Sequence, residues 1–217
     1  MLGIMSFSGA ERSKLRDLFL ALGPDAPTLC EGWTTRDLAV HLLVRETRPD
    51  AALGMFLPPA RGHLAAVTRT QAARDYEDVV RQWGAGPGRF NPVRLVDGAM
   101  NAAEHFVHHE DVRRGGVMRG EPLAESREFS AVVTRQLQDL VARMAPLLLR
   151  KSRSSVVLCP PAGVPIVAAR STGVARRGDD VVRVSGEAGE LLLWAFGRDA
   201  VRVSIEGDES AVVRSAI

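Results

Sequence analysis

The chain has 217 residues, 46% of them apolar, enough for one large domain or two small ones with an ordinary buried core. Its net charge of +2 is mild, and its basic residues are scattered rather than gathered beside aromatics, which argues against a nucleic-acid partner. No segment approaches the ~20 apolar residues of a membrane span, and two widely separated cysteines, Cys30 and Cys159, read as packing residues in a reducing cytoplasm.

Ser8 and Glu11 have the spacing of a capping box, opening a first helix whose stripe Leu15, Leu18, Phe19 and Leu22 stops at Gly23-Pro24. Thr34 and Asp37 repeat that signature for a second helix, with Trp33 and Leu38 at the positions of a hydrophobic staple. Leu38, His41, Leu42 and Arg45 share one face of it, so His41 is predicted to point inward. A third helical stretch runs from about Ala60 to Trp83 with a break in its middle, carried by Tyr76, Val79, Val80 and Trp83. Pro92 stands where the next helix can begin, and a helix from Leu95 to Arg114 closes at Gly115-Gly116. A fifth, from Ser126 to Arg150, carries Phe129, Val133, Leu137, Leu140, Met144 and Leu147, with Pro146 disturbing its end.

The texture changes after the polar linker Lys151-Ser-Arg-Ser-Ser. Val156 to Cys159, Ile166 to Ala169, Val174 to Arg176 and Val181 to Ser185 are short β-rich runs separated by turn residues. A helix over Glu187 to Phe196 and a strand over Val201 to Ile205 complete the reading. The expected class is α+β: a helical domain over residues 1–150 and a small α+β domain over 151–217.

The stretch Asn101-Ala-Ala-Glu-His-Phe-Val-His-His-Glu-Asp111 places Glu104, His108 and Asp111 at i, i+4 and i+7, on one helix face. Two ligands at i and i+4, joined by His41 from a neighbouring helix, are a way to build a three-ligand metal site with one position open. The competing reading is the solvated face of an amphipathic helix. Against it, Leu95 to Val112 contains neither Lys nor Arg in an arginine-rich chain, although Asp97, Asn101, Glu104, His108 and Asp111 run along one side. His105 and His109 project away from that line and are expected at the surface or a domain interface.

Glu31-Gly-Trp-Thr-Thr-Arg-Asp-Leu-Ala-Val-His41-Leu, followed by Glu104-His-Phe-Val-His108-His-Glu-Asp111, resembles the two metal-binding motifs of the mycothiol-dependent maleylpyruvate isomerase family. The resemblance implies a DinB-like four-helix bundle followed by a small sterol-carrier-like domain, whose helix motif is similar to Val184-Ser-Gly-Glu-Ala-Gly-Glu-Leu-Leu-Leu-Trp-Ala-Phe-Gly-Arg198. It implies His41, Glu104 and His108 as ligands of a divalent metal, zinc foremost, with nickel, iron(II) and manganese permitted by the ligand types. Asp111 then orients an imidazole or binds a water, and Arg198 reaches a substrate carboxylate. Each has an ordinary alternative, Asp111 as a helix-surface residue and Arg198 as a cation at a helix C-terminus.

A thiol on a divalent metal is deprotonated at neutral pH. The implied activity is therefore that of a cytoplasmic transferase or isomerase using mycothiol as cosubstrate and an electrophile as substrate, with a homodimer left open as the assembly. The alternatives are a noncatalytic metal- or ligand-binding module and a metal-dependent hydrolase with Asp111 as base.

Overall fold

The computed structural model describes residues 6–86, 98–170 and 181–215. Pro92, the first turn of the helix expected from Leu95, Asp97 and the run at Val174 lie outside these residues. The class is mixed α and β, as expected, and the chain divides into two compact units, residues 1–122 and 123–217.

In the first unit, α1 (Phe7–Leu22) is capped by Ser6, whose hydroxyl accepts from the Gly9 amide at 3.2 Å. The cap expected at Ser8 is thus displaced by two residues, because Ser8 and Glu11 are spent on contacts with a distant helix. α2 (Thr35–Thr47) opens on the expected capping box, with the Thr34 amide donating to Asp37 Oδ2 at 2.9 Å. Local i to i+3 chemistry of this kind needs no tertiary partner, which is why the sequence displays it.

The short α3 (Pro49–Ala52) leads through two single-turn 3-10 helices to α4 (Arg61–Ala72) and α5 (Tyr76–Gly84), the expected broken stretch. Asp75 caps α5, accepting from the Asp78 amide at 3.1 Å. Leu15 and Phe19 of α1, Leu38, Leu42 and Leu43 of α2, and Val79, Val80 and Trp83 of α5 form one apolar cluster. Burial of such side chains contributes about 1.5–3 kcal/mol each.

α6 (Gly98–Arg113) packs along α1, and every residue from Ala103 to Val112 is buried. A helix covered on all sides normally reads as apolar all round. This one carries three histidines and three carboxylates in its buried stretch, so each of those polar groups must be met by a partner.

The second unit begins before α7 (Ala131–Leu148), which packs on α8 (Ala188–Ala195) and on the sheet through Ile166–Ala169. By contacts, this helix groups with the C-terminal part, in the unit that runs from residue 123 to 217. Ser130 caps α7, and Pro146 sits in its final turn without ending it early. Strands β1 (Ser155–Cys159), β2 (Ile166–Ala169), β3 (Val181–Ser185) and β4 (Ser204–Glu206) form one sheet in the order β2-β1-β3-β4. β1 and β3 are parallel, with Val156 beside Val182 and Leu158 beside Val184, and all four are buried. The alternation of buried and accessible residues in β1 and β3 marks a sheet with one covered face.

Candidate metal centre

His41 stands one turn before Arg45 on α2, and Glu104 one turn before His108 on α6. The structure brings the two pairs together. The His41 and His108 rings lie 5.9 Å apart between centroids at 73°, and the Arg45 guanidinium pairs with Glu104 Oε2. Trp33, immediately before the cap of α2, lays its ring 5.1 Å from that of His41. Arg45 Nη1 also reaches Asn101 Oδ1 at 3.4 Å.

Asp111 is wholly buried and lies one turn beyond His108. Its Oδ2 accepts from His108 Nδ1 at 2.9 Å and from the Cys30 thiol at 3.3 Å. Its backbone carbonyl accepts from the Leu29 amide at 3.0 Å, tying the loop before α2 to the end of α6. That loop runs tight against Gly115, where a Cβ would collide with the Pro27 carbonyl and the Thr28 backbone. Among the described residues, Cys30, His108 and Asp111 form a group whose donor atoms lie within 4.8 Å of one another. Sequence reasoning missed Cys30 because its partners are far along the chain; the closest signal is its position just before the Glu-Gly-Trp-Thr motif.

Burial drives His41 down to about 3, with repulsion from His108 and Arg45 adding to it, so the imidazole is neutral with a lone pair to give. Burial raises Glu104 above its ordinary value, against the opposing pull of Arg45 and His108. Glu104 Oε2 meets Arg45 as an ion pair, and among the described residues no hydrogen bond is donated to it. Two imidazoles and a carboxylate are donors of the type a divalent metal takes.

From Glu104 to Asp111 the expected polar line on α6 is thus buried rather than solvated, while Asn101 is half-buried. Glu104, His108 and Asp111 do share a face, and a hydrogen bond joins the last two. The expectation for His105 and His109 is corrected, since both are buried, at 1% and 6% exposure. His105 fits between the Ser8 hydroxyl, 2.9 Å from Nδ1, and Glu46 Oε1, 3.3 Å from Nε2. His109 Nδ1 is 2.8 Å from Glu11 Oε2. Periodicity gives the angle between side chains and leaves open what covers each face. His63, half-exposed, pairs with Asp50.

Arg198 belongs to the second unit. Its Nη1 donates to the Phe196 carbonyl at 2.9 Å, at the end of α8, and its own carbonyl accepts from Arg214 at 3.3 Å. These contacts match a cation at a helix C-terminus.

No family model matches the sequence, and no curated protein matches it significantly. Two solved structures share its fold. The crystal structure of the mycothiol-dependent maleylpyruvate isomerase is 17% identical, with 97% of this chain and 92% of that one covered and a TM-score of 0.54. A histidine-to-alanine mutant of the mycothiol-dependent maleylpyruvate isomerase is 15% identical over the same shares, with a TM-score of 0.56. The resemblance read from the two motifs is borne out as a likeness of fold. Among the described residues, no helix is long and apolar enough to cross a membrane.

Proposed function

We propose that the first unit binds a divalent metal through His41, Glu104 and His108, and that the protein is a thiol-dependent transferase or isomerase with mycothiol as its thiol. The observation that carries the reading is the meeting of His41 and His108 from two different helices, near a buried Glu104 oxygen to which no hydrogen bond is donated among the described residues. The fold shared with a mycothiol-dependent isomerase supports the choice of thiol.

His41, Glu104 and His108 would suit zinc, which would favour a thiolate over a thiol at neutral pH. The protein's own groups prepare that chemistry. Asp111 accepts from His108 Nδ1, which fixes the ring and leaves Nε2 as its donor. Burial keeps His41 unprotonated. Asp111 is wholly buried and holds both His108 and Cys30, so a role as the base of a hydrolase gains no support from its surroundings. The reduced thiols of Cys30 and Cys159 suit the cytoplasmic location proposed with this activity.

A second reading has its own observation. Cys30, His108 and Asp111 offer three donors within 4.8 Å, a set that would hold an ion through a protein thiolate in a noncatalytic site. Elemental analysis of the purified protein and four variants separates the two. On the leading reading, a near-stoichiometric divalent metal is lost in His41→Ala, Glu104→Gln and His108→Ala and kept in Cys30→Ala. Loss in Cys30→Ala with retention in His41→Ala transfers the site to the second reading. A metal-loaded protein that then consumes no thiol with any electrophile removes the enzymatic part.

A further inference from the structure

The turn between α3 and α4 carries apolar side chains into solvent. Leu53, Phe56 and Leu57 are exposed at 53%, 73% and 51%, and Pro58 and Pro59 beside them are exposed as well. Two single-turn 3-10 helices, Leu53–Met55 and Pro58–Ala60, shape this tip. The buried Gly54 seats it on α4 so closely that a Cβ would collide with the Ala60 carbonyl and Leu64. The Phe56 and Leu57 amides both donate to the Leu53 carbonyl, at 3.1 and 2.8 Å, and the Ala60 amide donates to the Leu57 carbonyl at 3.0 Å. Pro58 and Pro59 have no N–H to satisfy. From Phe56 to Ala60 every backbone N–H is therefore bonded within the tip or absent, so none is stranded when the tip leaves water.

The chain around the tip is positive. From Ala51 to Arg74 it contains Arg61, His63, Arg69 and Arg74 but no carboxylate, although the protein has 26 Asp and Glu residues. Asp50, just before this stretch, is held by Arg48 at 2.7 Å and by His63 at 2.7 Å. Arg61, Ala65 and Arg69 follow one another at i, i+4 and i+8 on the exposed side of α4, and among the described residues neither arginine pairs with a carboxylate. We propose that Phe56 and Leu57 anchor this turn in the interface of an anionic phospholipid bilayer, with Arg61 and Arg69 on its headgroups. An exposed apolar patch rimmed by polar groups marks an interaction surface, and here the charge selects the partner. Two copies joined through this patch would bring the same arginines together with no carboxylate between them. An anionic bilayer supplies the opposite charge, and its apolar layer closes around a side chain as uncovered as Phe56 without a matching groove. The contact lies on the membrane surface and involves neither the metal nor the thiol.

Sedimentation of the full chain with sucrose-loaded vesicles tests this, using phosphatidylcholine alone and phosphatidylcholine mixed with phosphatidylglycerol. The wild type is expected to pellet with the mixed vesicles, to be released as salt is raised, and to stay in solution with phosphatidylcholine alone. Phe56→Ser and Leu57→Ser are each expected to weaken binding to the mixed vesicles about tenfold, and Arg61→Gln and Arg69→Gln about fivefold each. All four side chains are exposed, so these variants are expected to melt as the wild type does. Val132→Ser removes an apolar side chain from α7 that is 70% exposed, and is expected to bind as the wild type does. Failure of the wild type to pellet with the mixed vesicles, equal pelleting with both kinds, or unchanged binding in Phe56→Ser overturns the proposal. A dimer in sedimentation velocity that Phe56→Ser dissolves, in a wild type that ignores lipid, overturns it too and gives the patch to a second copy of the chain.

Discussion

Asp111 Oδ2 lies 2.9 Å from His108 Nδ1, one helical turn away on α6, and Asp111 has no exposure to solvent. The carboxylate fixes which ring nitrogen carries the proton. Asp111→Asn keeps the volume but can present an N–H to Nδ1, which favours the tautomer with the proton on Nε2 and closes off the donor atom. Zinc affinity, measured by competition with a chromogenic chelator, is expected to fall by about 10–100-fold. Unchanged affinity would mean that His108 is not a ligand through Nε2.

The histidines of α6 are expected to divide by function although all three are buried. His108→Ala is predicted to lose the metal, whereas His105→Ala keeps it and loses stability instead. His105 bridges Ser8 on α1 and Glu46 on α2, so its removal strands buried polar groups at a cost of about 1–3 kcal/mol. Metal content and urea unfolding on the same samples check both halves. Equal metal loss in the two variants contradicts the division.

Glu46 gives the first unit an acid limb. Burial alone raises its pKa, but the hydrogen bond with His105 and the charge and hydrogen bond of Arg12 outweigh it, and the net shift is downward. A carboxylate depressed in the folded state adds stability above its unfolded value, about 4.3, and loses it as pH falls through the folded one. Glu46→Gln is expected to cost about 1–3 kcal/mol at neutral pH. The difference in melting temperature from wild type is expected to narrow as pH falls below the unfolded value of about 4.3. A difference that stays constant across that range rejects the assignment.

Gly115 seats the loop that carries Cys30. A Cβ there meets Pro27 and Thr28 backbone atoms, which no rotamer change can clear. Gly115→Ala is therefore expected to cost about 1–3 kcal/mol, as overpacking does, and to displace the loop from Asp111. In a Cys159→Ser background, the Cys30 thiol is expected to react faster with Ellman's reagent than in the parent. An unaltered labelling rate would show that Cys30 does not depend on this seat.

The sequence by itself determined the elements and the segments that bear the chemistry. Thr34 with Asp37 marks the start of α2, the break between α4 and α5 is visible in their separate apolar stripes, and Glu104, His108 and Asp111 share a face at helical spacing. All of these rest on interactions within about one or two turns of chain, where residue identity and the 3.6 period suffice. The resemblance in the two motifs likewise led to the right fold, because the motifs themselves are local.

What each polar side chain pairs with was decided by tertiary structure alone. Ser8 and Glu11 have the spacing of a cap, yet they serve His105 and His109 on α6. Cys30 has no neighbour in sequence to announce its approach to Asp111. Arg45 shares the inward face of α2 with His41, but its sequence neighbourhood does not announce that α6 brings Glu104 against it. A buried donor or acceptor requires a partner but does not specify which one, and helices far apart in sequence supply partners only once packing has set which faces meet.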